Sequence, residues 1–417
     1  MLAQILRDAW FALKRSRTRT GLTMLGIVWG IATVTLLVAY GSGFRNVLLT
    51  SFEAFGKSVV ICWPQQTSDQ AGGQRAGKRV LLEQADVDAV KEQAPLVKYV
   101  CRETVRRLSV AYGDRMINTA IRGVCAPYGE MRNEIAAQGR WISDADLLER
   151  RRVAFIGGRV REKLFGGRPA VGEGILIGGV HFTVIGVMDR KLQLSNYFTS
   201  DDESVFIPYS TAGDMWNTRY AAVMLFEPVA PRFEEEAKKQ VLAAIAQRQG
   251  FSPTDAKAIQ MFGSEESRPI IDGITIGLQV LLFFIGGLTL GIGGVGVMNI
   301  MLVSVDERIR EIGLRRALGA RKAHIRWQFL AETLLITVIG GAIGLALSYL
   351  IAFSVGTLPL LGPLFEDTSG KGDIHLGISL GVVLVSSAVL IVVGVISGLV
   401  PAMRAAKLDP VSALRYE

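Results

Sequence analysis

The sequence predicts an α-helical membrane protein: four transmembrane helices, with a large mixed α/β extracytoplasmic domain inserted between the first and second. Three observations carry this. Four long stretches lack charged side chains, basic residues gather beside them, and residues 45–272 between the first two have the composition of a folded domain. Half of the 417 residues are hydrophobic, close to a globular average, so the distribution matters more than the mean.

The uncharged stretches are Gly21 to Phe44, Gly273 to Val305, Thr333 to Phe365 and Leu376 to Met403. Each exceeds the roughly 20 helical residues needed to cross a hydrocarbon core. They set spans at 21–44, 273–305, 327–358 and 376–402. Basic residues lie beside them: Lys14, Arg15, Arg17 and Arg19 before the first, Arg308 to Arg326 between the second and third, and Arg404, Lys407 and Arg415 after the fourth. The positive-inside rule then makes both termini cytoplasmic in a multi-pass inner-membrane protein. It also explains the net charge of +8 without nucleic acid.

Residues 1–20 are read as a cytoplasmic amphipathic helix, with Leu2, Ile5, Leu6, Ala9, Trp10 and Leu13 on one face. A cleavable signal peptide competes for the first span, since Ala39 and Gly41 resemble a cleavage pattern. The apolar run is longer than a signal core of about 7–15 residues, which favours a span.

The inserted domain, 45–272, is expected to hold two lobes. Helices are predicted at Asp86 to Lys91 and Phe233 to Arg248, the charges of the second forming a solvated face. Strands are predicted at Val153 to Ile156, Gly174 to Ile177, His181 to Val187 and Ser204 to Ile207. Cys62, Cys101 and Cys125 allow one disulfide and leave one thiol, with the pairing open.

Two apparent nucleotide motifs fail on context. Gly72 to Arg79 has Arg79 where a phosphate-binding loop needs a hydroxyl, and no strand precedes it. Gly291 to Gly296 spells a dinucleotide fingerprint but lies inside an apolar span. Glycine pairs four apart (Gly26 and Gly30, Gly287 and Gly291, Gly340 and Gly344, Gly394 and Gly398) instead predict close helix packing, within the chain or between two chains. His181, His324 and His375 lack partners at ligand spacing, so no metal or catalytic residue is assigned. No charge falls mid-span, which argues against an ion-coupled carrier; Glu332 lies near one end of the third.

Residues 306–326 read as a charged helix and loop, with Val305, Ile309 and Ile312 on one stripe and Gly319 as terminator. Residues 359–375 form an outer loop and 403–417 a cytoplasmic tail, in which Asp409 caps a turn begun by Pro410.

Arg308 to Ala320 resembles the signature loop of the MacB and FtsX-like ABC transporter permeases. Gln328 to Glu332, Asp409 to Glu417, and in the inserted domain Gly139 to Ile142, Arg152 to Gly157, Lys163 to Gly166 and Val180 to Val187 are similar to the same family. The resemblance implies a permease subunit with no catalytic site of its own, which transmits motion of a cytoplasmic ABC ATPase to the outer domain. ATP and Mg²⁺ would sit on that ATPase, expected as a separate chain. It implies a coupling role for Arg308, Glu311, Ile312, Gly313, Arg316, Gly319 and Ala320, and a second permease copy or homologue. A periplasmic adaptor and an outer-membrane channel would complete an exporter of drugs, peptides or other amphiphiles. The alternatives within the resemblance are an FtsX-like signalling subunit controlling a cell-wall hydrolase, or a lipoprotein-release permease. Ser412 departs from the acidic residue that many relatives carry.

Overall fold

The structure, a computed structural model, describes residues 17–414 except 54, 55, 57, 70–75, 192–196 and 364–369. Residues 1–16 of the expected surface helix, residues 72–75 of the glycine-rich loop at 72–79, and Arg415 to Glu417 lie outside the described residues. The chain forms two compact units: residues 1–47, 273–360 and 373–417, and residues 48–272 with 361–372.

The first unit contains the span helices, Arg17–Glu53, Ser264–Glu307, Lys322–Val355 and Leu380–Lys407. All four are long and apolar enough to cross a membrane. The third stops before the expected 358 because Gly356 turns the backbone to φ +69°. Thr357–Pro359 (β11) then pairs antiparallel with Asp373–His375 (β12), so the outer loop is bracketed by a small hairpin ladder. Ser379 starts the fourth helix, its side chain accepting the Val382 N–H.

Ile27, Ile31, Val34, Leu290, Val297, Phe329, Ile336 and Leu390 form the helical core. Glycine lets the backbones meet. A Cβ on Gly26 would lie 3.5 Å from Gly293 Cα, and one on Gly344 would overlap Ile31 and lie 2.8 Å from the Val28 carbonyl oxygen. Gly394 and Gly398 receive Thr337 and Thr333, with a Cβ 2.8 Å and 2.9 Å from their nearest side-chain atoms. Those two threonine hydroxyls donate to the Thr333 and Phe329 carbonyls, at 2.9 Å and 3.0 Å, which satisfies them without water.

One expected pair takes no part in packing within the chain. Among the described residues a Cβ on Gly287 or Gly291 would meet nothing within 4 Å, so of the two expected packings only that between two chains is open to this pair; Gly286, Gly293 and Gly294 make the contacts of the second span, to Val34, Gly26 and Ser397. One residue turns a helix by about 100°, so a glycine pair of correct spacing can face away from its neighbours.

The second unit carries a ten-stranded mixed sheet. Its strands are β1 (Val60–Pro64), β2 (Val97–Tyr112), β3 (Arg115–Val124), β4 (Ala136–Gly139), β5 (Val153–Ile156), β6 (Gly174–Ile177), β7 (Val180–Met188), β8 (Val205–Pro208), β9 (Val223–Pro228) and β10 (Ile259–Gly263). Their order is β10-β1-β9-β2-β3-β8-β5-β7-β4, with β6 against β2 and β7. Pairing of β1 with β10 sets Val60 opposite Gly263, so the two ends of the inserted segment lie side by side. The long β2 pairs with β9 through its first half and with β3 through its second.

Helices Gln84–Gln93 and Glu234–Gln249 cover one end of the sheet, burying Val87, Val90, Val241 and Ile245 with Phe226. Gly158–Phe165 and Tyr209–Met215 cover the other, burying Val160, Leu164 and Ala212. The charged face expected on the second helix is corrected in its first turns. Glu234 and Lys238 are buried and paired at 3.0 Å, because Glu234 reaches back to accept the Glu265 N–H at the close of β10. Cys101 and Cys125 form the disulfide, joining β2 to the residue after β3, and Cys62 is the buried free thiol.

A fully buried polar network ties the sheet to two loops. Arg122 of β3 lies 3.1 Å from Asp201 and 3.4 Å from Glu103 of β2, and Arg132 lies 2.7 Å from Asp201. Lys191 adds contacts of 3.0 Å to both Asp201 and Glu134. Tyr128 and Tyr197 share a 3.0 Å hydroxyl contact, and Tyr197 donates to Glu103. Removing one member of such a buried pair typically costs about 3–5 kcal/mol.

Asp201 stays below the usual carboxylate range despite burial, because Arg132, Lys191 and Arg122 surround it. Glu134 is pushed up to about 8 by burial and by the negative charge of Asp201. Between its unfolded value of 4.5 and about 8, the folded protein holds a proton on Glu134 that the unfolded chain lacks. This contribution to stability therefore falls as pH rises through that window.

Two outcomes are expected. Thermal unfolding at pH 5, 6.5 and 8 should show a stability slope of up to roughly 1.4 kcal/mol per pH unit that Glu134→Gln flattens. An unchanged slope would remove Glu134 as its source. Gly344→Val should lower the thermal midpoint through overpacking of about 1–3 kcal/mol, whereas Gly291→Val should leave the fold of the chain intact. Equal effects would contradict the assigned helix faces.

Candidate functional site

The segment joining the second and third spans folds into the helix Ile309–Ala317. Arg308 stands at its N-cap, and Gly319 leaves it at φ +94°. The Gly319 and Ala320 N–H groups donate to the Arg316 and Arg315 carbonyls, both at 3.1 Å, closing the helix end. Val305 and Ile312 are buried in one cluster with Ile325, Phe329 and Ala405, and Ile309, on the same stripe, is buried as well.

The helix is held at both ends. At its start, the Arg308 guanidinium lies 3.4 Å from the buried Glu332 carboxylate of the third span. Near its end, Arg316 donates to the Leu408 carbonyl at 2.7 Å and the Ala406 carbonyl at 3.3 Å, which lie at the last turn of the fourth span. Those carbonyls have no further turn to accept, so a guanidinium is a natural partner. Arg315 bridges Glu311 and Gln328, at 2.7 Å each.

The tail helix Pro410–Leu414 packs across the middle. A Cβ on Gly313 would lie 2.6 Å from Ala413 Cβ, so only glycine admits this crossing. Asp409 starts the tail helix by accepting from the Ser412 N–H at 3.1 Å and its hydroxyl at 2.8 Å.

The seven residues picked from sequence thus divide. Arg308, Ile312, Gly313 and Arg316 face inward and hold the helix, Ala320 is half-buried, and Glu311 and Gly319 are exposed. The open face consists of Arg310, Glu311, Leu314, Ala317 and Leu318, with Leu314 53% and Leu318 81% exposed. Leu314 and Leu318 were not singled out from the sequence. Their four-residue spacing opposite the Ile309 stripe was the available signal.

Among the described residues, one acidic group has metal-like spacing, Glu234 with Glu235 and Glu266. The Lys238 ammonium contacts all three and takes the place an ion would need. His181, His324 and His375 are all exposed.

Residues 20–244 match the MacB-like periplasmic core domain, and residues 283–410 match the FtsX-like permease C-terminal domain. The macrolide export ATP-binding/permease protein MacB of Bdellovibrio bacteriovorus is 31% identical over 417 residues, covering 99% of this chain and 61% of that protein. The protein of the same name from Chromobacterium violaceum is 34% identical over 421 residues, with 100% and 61% covered. The chain spans 61% of the length of both relatives. The crystal structure of the periplasmic region of MacB from Actinobacillus actinomycetemcomitans aligns with a TM-score of 0.42 at 15% identity, over 54% of this chain and 97% of that one.

The Arg308–Glu332 pair yields a direct expectation. Arg308→Ala should leave a buried carboxylate unpaired and destabilise the membrane unit by about 1–3 kcal/mol, and Arg308→Glu should do so more strongly. Glu332→Gln should recover most of the loss in the double variant. Additive losses in a double-mutant cycle of thermal midpoints would mean that the two side chains do not interact.

Proposed function

The chain belongs to the MacB and FtsX-like family of ABC transporter permeases, and from that premise we propose that it is the permease subunit of an ATP-driven exporter of the MacB type. Membership in the family implies an ATPase partner. On this reading the partner binds ATP and Mg²⁺ and docks on the open face of the helix Ile309–Ala317. On the same reading that helix and both termini lie in the cytoplasm, which the basic clusters around residues 14–19, 308–326 and 404–415 support through the positive-inside rule.

One observation carries the proposal: the helix is clamped on its inner face while Leu314 and Leu318 stand open on its outer face. A loop that served only to connect two spans would gain nothing from exposing two leucines in register. A docking helix would, because a partner that covers them gains apolar burial of about 25 cal/mol per Å². Arg310 and Glu311 flank the leucines and would set the register of the contact. Load entering the helix would pass through Arg308 to the third span and through Arg316 to the end of the fourth. It would reach the second span directly through the chain at Glu307.

The second span helix, Ser264–Glu307, has 44 residues. At about 1.5 Å each it is roughly 66 Å long, twice a hydrocarbon core of about 30 Å. Such a helix suits the transmission of motion to the extracytoplasmic domain, where cargo would be moved with a second permease copy or homologue, an adaptor and an outer-membrane channel. Drugs, peptides or other amphiphiles are the proposed cargo class.

The test is co-purification with the ATPase partner in lipid nanodiscs, with ATP turnover measured. Leu314→Asp combined with Leu318→Asp should weaken association at least about tenfold and abolish permease-dependent stimulation, with the thermal midpoint unchanged. Undiminished association would overturn the docking role.

A further inference from the structure

The inserted domain holds a cleft of about 470 Å³ that the transport reading does not use. It lies where the helix Gln84–Gln93, which covers one end of the sheet, faces the helix Tyr209–Met215, which covers the other. Its base is β2 at Val100 to Arg102, within the part of that strand that pairs with β9 and just before pairing with β3 begins at Thr104. The Cys101–Cys125 disulfide fastens this base. The volume falls within the range of about 300–1,000 Å³ typical of small-molecule sites.

The lining is one-signed. Lys91, Arg102 and Arg150 contribute to it, and no residue lining the cleft is acidic. Among the described residues, neither Lys91 nor Arg102 forms an ion pair. The Arg102 guanidinium carbon lies over the Tyr209 ring, 4.3 Å from its centroid. This cation–π contact restrains the guanidinium without using its N–H donors.

Two of the neutral polar groups, the hydroxyls of Tyr209 and Ser210, are already committed. The Tyr209 hydroxyl donates to the Thr218 carbonyl at 2.8 Å, and the Ser210 hydroxyl donates to the Leu147 carbonyl at 2.6 Å. They brace the walls. Arg150, at the rim, has a left-handed backbone at φ +51° and is fixed by Asp214 at 2.5 Å. What remains for a ligand is cationic donors, with the side chains of Gln84 and Thr218, beside the apolar side chains of Val87, Val100 and Leu147.

The buried network of the same domain shows the contrast. Arg122, Arg132 and Lys191 each have carboxylate partners inside the protein. Cations kept together in a cleft with no such partner repel one another unless an anion enters.

We propose that this cleft binds a small organic anion, a carboxylate or phosphate on a short apolar body, with Arg102 as the principal anchor and Lys91 as a second charge. The proposal does not depend on the docking reading, because it concerns the inserted domain without ATP turnover.

The test is hydrogen–deuterium exchange of the full chain in lipid nanodiscs with three probes: N-acetyl-leucine, its neutral amide, and inorganic phosphate. N-acetyl-leucine should protect amides at 84–93 and 209–218, and the neutral amide should not. Protection by phosphate as well would support recognition of charge alone; protection by N-acetyl-leucine only would support the need for an apolar body. Arg102→Gln should weaken binding at least about tenfold. Lys91→Gln, on an exposed helix face, should weaken it severalfold and serves if the first variant fails to fold. No protection at about 10 mM probe, equal protection by the neutral amide, or unaltered binding in the variants would overturn the proposal.

Discussion

The membrane unit depends on backbone-to-backbone contact along its first span. In hydrocarbon, apolar side chains gain little by leaving lipid for another helix, so association rests on close packing. The first span supplies it on two sides: Gly26 and Gly30 against Gly293 and Leu290 of the second span, and Ile27 and Ile31 against Gly340 and Gly344 of the third. Fixing the second and third spans to one common helix also fixes the two ends of the segment between them. That segment is the helix Ile309–Ala317. A short amphipathic helix alone is marginal in water, and this one owes its order to held ends and a buried stripe.

The polar contacts that hold this helix differ in kind from those inside the inserted domain. Arg316 meets the carbonyls at the end of a span, and Arg308 meets a carboxylate at the edge of another. Both join one helix to another, and the arginine in each is only partly buried. The Arg122, Asp201 and Glu103 network is wholly enclosed by sheet and loops. There the low dielectric makes each group depend on every other, so the network specifies one arrangement of the 128–134 and 197–203 segments. On the proposed function, the helix needs anchors that carry load, whereas the enclosed network serves to hold one arrangement of its own segments.

The architecture was legible because hydropathy and charge act over long windows. Four uncharged stretches and three basic clusters needed no tertiary information, and the strands at Val153–Ile156 and Gly174–Ile177 stood between turn residues. What was not legible depended on azimuth and on distant partners. Gly287 and Gly291 have the spacing for close packing yet turn away from the other spans of the chain, which is decided by how the first span docks. The burial of Glu234 and Lys238 depends on β10, more than ten residues further on. In the connecting segment the family motif falls on the helix Ile309–Ala317. Many of its conspicuous residues turn inward, so a motif of this kind records what builds a surface as well as what the surface presents.

That distinction bears on how charge should be read in this protein. Arginines dominate both the connecting helix and the inserted domain, and residue type alone does not sort them. Partnership does: Arg122, Arg132, Arg308 and Arg316 are spent on acceptors within the chain. Arg102 is restrained by an aromatic face that accepts no proton, so its charge stays uncompensated. A guanidinium ordered without a carboxylate is held ready for one, whereas a guanidinium with a carboxylate is part of the scaffold.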